Sequence, residues 1–150
     1  MNQHPENRIL IGIGNSGRSD DGLGWAFVEA VQKKGIFGGD TLLRYQLQVE
    51  DAELISQYDQ IIFVDAYKGE LTEGFSCKSC KAAKDFSFTT HRLPPETIVY
   101  LCQELYHRQP ETFLLLIAGE KWELEIGLSE KGRQNLQNAL LFFETKKCII

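Results

Sequence analysis

Three side chains have the chemistry to act together if the fold brings them to one place: Asp21, Asp65 and His91. Asp21 lies in Arg18-Ser19-Asp20-Asp21-Gly22, directly after a glycine-rich loop. Asp65 ends the apolar stretch QIIFVD, and His91 sits in Thr89-Thr90-His91-Arg92-Leu93, ahead of Pro94 and Pro95. A carboxylate at the carboxyl end of a buried parallel strand faces the crevice where open α/β sheets bind ligands. Singly, each has an ordinary reading: Asp65 as a hydrogen-bonded strand-end residue, His91 as a solvated loop histidine, and the Asp pair as caps of the next helix. For Asp20 a cap or surface role weighs at least equally with chemistry; for Asp21 chemistry is favoured. Together, two hard carboxylates and one imidazole form a ligand set suited to divalent nickel, zinc, iron or manganese. Three protein ligands leave coordination positions open, as metal-dependent hydrolysis or contact with a metal carried by a partner requires.

The loop that precedes Asp21 reads Gly12-Ile13-Gly14-Asn15-Ser16-Gly17, a literal G-x-G-x-x-G. That pattern can bring backbone N–H groups to a pyrophosphate. Here two carboxylates follow where phosphate oxygens would sit, and like charges repel. The loop is better read as a scaffold whose tight turns aim an Asp into the crevice at the end of the first strand. Nucleophilic catalysis is disfavoured, because the chain has no G-x-S-x-G elbow and its cysteines lack a glycine-framed setting. Cys77-Lys-Ser-Cys80 is a single C-x-x-C without the second pair of a structural zinc site, so surface or edge-strand cysteines are expected. Four scattered cysteines make reduced thiols the default. His4 and His107 read as solvated.

These residues need elements to hold them. Arg8 to Ile13 (RILIGI) predicts a buried strand that feeds the glycine loop, and 24–34 a helix with Gly35 as its stop. Residues 41–49 predict a second strand, 51–57 a short helix with Asp51 at its cap or first turn, and 60–64 a buried strand ending at Asp65. Residues 73–82 fit an edge strand, 94–107 a proline-opened helix, 112–118 another buried strand, and 129–146 an amphipathic helix capped by Ser129. Strands alternating with helices imply an α/β fold. We expect a single three-layer domain over 1–150, with a mainly parallel twisted sheet of about five strands and helices on both faces. At 150 residues there is room for one core.

Composition narrows the partners. A formal net charge of -5 argues against broad nucleic-acid binding, which needs a concentrated Lys/Arg face. The N-terminus lacks the basic-then-apolar pattern of a secretory signal, and no apolar run approaches the roughly 20 residues that span a bilayer. A cytoplasmic protein without membrane contact is expected, with a monomer as the default.

Gly12-Ile13-Gly14-Asn15, Arg18, Asp20-Asp21-Gly22 and Gly24 resemble the N-terminal GxGN...DD/EGxG motif of the NiFe-hydrogenase maturation endopeptidases. Val64-Asp65-Ala66 resembles that family's VDA motif, His91 falls where the family has its third metal-contacting residue, and 127–129 resembles its late GLS segment. The family often carries Glu where this chain has Asp21. The resemblance covers most of the chain and keeps the family order. It implies a metal-dependent endopeptidase that removes the C-terminal extension of a hydrogenase large-subunit precursor after nickel insertion. Asp21, Asp65 and His91 would be catalytic and would contact nickel supplied by the substrate, with no organic cofactor. The alternative is a non-catalytic nickel-binding hydrogenase assembly factor using the same three residues.

Overall fold

The computed structural model describes residues 7–84 and 93–145. Expectations that fall on 85–92, His91 among them, lie outside the described residues. Five strands form one sheet in the order β2-β1-β3-β5-β4: β1 (Arg8–Ile13), β2 (Asp40–Arg44), β3 (Gln60–Lys68), β4 (Phe75–Ser79) and β5 (Glu111–Gly119). The pairs β1–β2, β1–β3 and β3–β5 are parallel, and among the described residues the edge strand β4 alone is antiparallel. The helices are α1 (Leu23–Lys34), α2 (Glu50–Ile55), α3 (Pro95–Tyr106) and α4 (Glu130–Thr145), with a 3-10 turn over Ser19–Gly22.

Apolar side chains on alternate strand positions feed two cores, as a sheet covered on both faces requires. Ile11, Ile61 and Phe63 pack on one face with Ile55 of α2 and Ile98 of α3. Leu10, Ile62, Val64 and Leu115 pack on the other with Phe27 of α1 and Leu140 of α4. The three-layer α/β arrangement expected from the sequence is therefore present.

Two strand lengths differ from expectation, for one reason. β2 stops at Arg44 rather than near Val49 because, among the described residues, its one neighbour is β1, which ends at Ile13, the register partner of Arg44. β3 does the reverse. It runs through Asp65 to Lys68 because β5 continues beside it to Gly119. Asp65 is thus not the end of its strand but its first residue beyond the last β1 pair, Gly12 with Val64.

Local signals operate as the sequence indicates. Gly35 ends α1 in the left-handed region, Pro95 opens α3, and Ser129 caps α4 by accepting from the Gly132 N–H at 2.9 Å. Asp51 lies in the first turn of α2 and ties it to β2 through Arg44 at 3.1 Å. Among the described residues, no helix is long and apolar enough to cross a membrane.

Candidate functional site

The strand order reverses direction between β1 and β3: from β1 the chain moves outward to β2, from β3 it moves the other way. Adjacent parallel strands whose connections depart in opposite directions leave a crevice at their carboxyl ends, the usual ligand site of open α/β sheets. A cavity of about 690 Å³ lies there, and both Asp21 and Asp65 line it. Its remaining walls come from Ile13 and Gly14 at the end of β1, from 45–47 after β2, from 66–68 of β3, from 93–95 at the start of α3, and from Trp122 after β5.

Gly14 directs Asp21 into this cavity. Its φ of +145° suits glycine, and a Cβ there would lie 2.0 Å from the Asp21 carbonyl oxygen. The Asn15 N–H donates to that same carbonyl at 3.0 Å, closing the loop against the 3-10 turn. Asp65 reaches the cavity from β3, half-buried, with its Oδ1 accepting from the Ala66 N–H at 2.8 Å. Two carboxylates remote in sequence thus share one crevice. Both make further polar or electrostatic interactions within the protein. Among the described residues, no three His, Cys, Asp or Glu side chains are arranged to hold a metal ion.

The neighbouring Asp20 faces the other way. It is fully buried and accepts four hydrogen bonds: from the Glu120, Lys121 and Ser129 N–H groups at 2.8, 3.1 and 2.8 Å, and from the Ser129 hydroxyl at 2.6 Å. Burial alone would raise its pKa, but the Ser129 hydroxyl and the three N–H donors outweigh it and hold the carboxyl below its ordinary range. Gly132 leaves the room for this carboxylate, since a Cβ there would lie 2.5 Å from Asp20 Oδ1. Asp20 is therefore neither a surface group nor the cap of α1. It clamps the 3-10 turn onto the segment between β5 and α4, and the Ser19 and Asp20 N–H groups reinforce the clamp by donating to the Glu125 and Lys121 carbonyls. The adjacent-acid pattern alone carried no signal for this, because the partners lie near the far end of the chain.

The glycine loop is not a phosphate cradle. The N–H groups of Gly14, Asn15 and Gly17 are already donated, to the Arg44 carbonyl, the Asp21 carbonyl and the Asn15 side chain, and those of Arg18 and Asp21 go to the Asn15 and Arg18 carbonyls. A pyrophosphate would have to displace these bonds.

No protein-family model matches the chain, and no curated protein does. Solved structures do. The NiFe hydrogenase maturation protease HycI from Thermococcus kodakarensis superposes with a TM-score of 0.69 at 21% identity, covering 93% of this chain and 92% of its own. A hydrogenase 3 maturation protease gives 0.69 at 19% identity, over 96% of this chain and 94% of that one. The hydrogenase maturating endopeptidase HybD from E. coli gives 0.64 at 18%, over 90% and 88%. The fold is that of the hydrogenase maturation proteases.

Of the C-x-x-C pair, Cys77 lies on the edge strand β4 as expected, and Cys80 does not stay at the surface. Cys80 is buried in the core rather than on the surface, and burial, with the nearby Glu96 charge, pushes its thiol up to about 12. Burial likewise raises Cys102. Cys77 is disulfide-bonded, which corrects the expectation of reduced thiols at this position. His107 is exposed, as expected, and ends α3 in the left-handed region.

Proposed function

We propose that this chain is an endopeptidase that removes the C-terminal extension of a NiFe-hydrogenase large-subunit precursor once nickel is in place. In this reading Asp21, Asp65 and His91 meet the nickel held by the substrate. The observation that carries the proposal is that Asp21 and Asp65 line one open crevice at the switch point of a maturation-protease fold. Leu93, two residues after His91 in the chain, lines the same cavity, which supports the third contact.

Docking of a substrate-borne cation between carboxylates positions the adjacent peptide bond without a resident metal, so most of the catalytic gain comes from placement. Contact with the cation polarises a water beside the scissile carbonyl. In this reading the water's oxygen would bond to the carbonyl carbon as the C–N bond breaks, and a proton released by that water would pass to the leaving amine. A precursor lacking nickel has nothing to dock on the acidic pair and is left uncut.

The test mixes the purified protein with nickel-loaded or nickel-free precursor and follows loss of the extension by mass, alongside Asp65→Ala. Cleavage of the loaded precursor alone, abolished in the variant, is the expected result. Nickel-dependent binding without cleavage would identify a non-catalytic nickel-binding assembly factor, and neither binding nor cleavage refutes the proposal.

A further inference from the structure

Among the described residues, no strand lies beside the part of β3 that outruns β1. Successive residues of a strand turn their N–H and C=O groups alternately toward the two flanking strands. In β5, the Ala118 N–H donates to the Gly74 carbonyl at 2.9 Å and the Thr112 carbonyl accepts from the Cys80 N–H at 2.8 Å, so these positions face β4. The alternate residues, Ile117 and Gly119, face β3. Because Ala66 is the register partner of Ile117, the bonds between the two strands run through Asp65 and Tyr67. Ala66 and Lys68 therefore turn their backbone groups toward the side that β1 has already left.

The Ala66 N–H is held there by the Asp65 carboxylate. The Ala66 carbonyl and the Lys68 N–H and carbonyl have no hydrogen-bond partner among the described residues. All of these residues line the crevice that contains Asp21 and Asp65. A donor and two acceptors at strand spacing on a cavity wall match one ligand chemistry best, another polypeptide backbone in extended form. Room exists for such a chain to continue. Trp122, whose ring lies 5.3 Å from Lys68 Nζ, also borders a second, polar cavity of about 790 Å³ beyond it.

We propose that the polypeptide substrate docks by adding a short strand to this edge, bonded to the Ala66 carbonyl and to both backbone groups of Lys68, which lays its chain past Asp65. The inference rests on the proteolytic reading above and specifies how the substrate is held. It predicts recognition of backbone, alternating in period two, rather than of a particular side-chain sequence.

The experiment replaces single amides by esters along a synthetic extension joined to the nickel-loaded precursor, and measures the cleavage rate at each position. Each replacement that removes the N–H facing the edge should slow cleavage about tenfold, the cost of one hydrogen bond, while adjacent positions change less than twofold. Uniform tolerance, with the all-amide precursor cleaved normally, overturns the added strand and leaves the proteolytic reading intact. If the all-amide precursor is not cleaved, hydrogen exchange decides the docking separately. Protection of the Lys68 amide by nickel-loaded precursor upholds the added strand, and unchanged exchange there overturns it.

Discussion

Asp20→Ala should unfold a large share of the protein's stability while Asp21→Ala, one residue away, should not. Truncating Asp20 strips the acceptor from three backbone N–H groups, at Glu120, Lys121 and Ser129, and from the Ser129 hydroxyl. A buried donor left without its partner costs about 1–3 kcal/mol, and water entering the vacated space recovers part of this. We expect a net loss of roughly 3–5 kcal/mol, against a total of about 5–15 kcal/mol for a domain of this size. Asp20→Asn keeps one acceptor oxygen but turns an NH2 group toward donors, and should cost roughly 2–3 kcal/mol. The pH dependence has a fixed sign. The folded state holds Asp20 below the unfolded carboxyl value of about 3.9, so its contribution is complete above that value and is lost as pH falls through the folded one. Urea unfolding of wild type and Asp20→Asn should therefore differ fully at pH 7 and converge below about pH 4. Gly132→Ala supplies a cross-check. In an exposed helix this change gains about 1 kcal/mol, but here the added Cβ would lie 2.5 Å from Asp20 Oδ1 and should cost about 1–3 kcal/mol. In the Asp20→Ala background the penalty should vanish. A loss below about 1 kcal/mol for Asp20→Ala, or a pH-independent gap between wild type and Asp20→Asn, would refute the clamp.

Further outcomes follow from the same geometry. Asp21→Ala and Asp65→Ala should each abolish release of the extension, with less than about 1 kcal/mol change in urea unfolding, since both groups stand at an open crevice. Cys80 and Cys102 should resist iodoacetamide at pH 7.5 until the protein unfolds, because burial keeps both as thiols; mass spectrometry after timed quenching reads this directly. Titration with NAD or ATP should leave the amide spectrum of 12–17 unchanged, because the Gly14, Asn15 and Gly17 N–H groups are already bonded within the protein.

How much of this was legible in the sequence depends on how local each cause is. RILIGI, the Gly35 stop, the Pro-opened α3 and the Ser129 cap are encoded within a few residues, and the structure follows them. Strand ends are not local. β2 stops and β3 continues according to where a neighbour in the sheet ends, information that lies in β1 and β5 rather than in the strands themselves. The same divide separates the two adjacent acids. That Asp21 faces a crevice is foreshadowed by the glycine loop. That Asp20 is buried depends on donors at Glu120, Lys121 and Ser129, which no short window contains. Cys80 lies next to an edge strand yet faces the core, a side that spacing alone left undetermined.

The Asp20 clamp also sets a schedule. The 3-10 turn that presents Asp21 emerges early in synthesis, but the partners that fix its neighbour, and the Trp122 wall of the crevice, come only with the segment between β5 and α4. A partly made chain on the ribosome therefore carries the acidic residue without the shape that would hold a polypeptide against it. For a protein proposed to cut peptide bonds in a crowded cell, that ordering delays competence until the segment after β5 has been made.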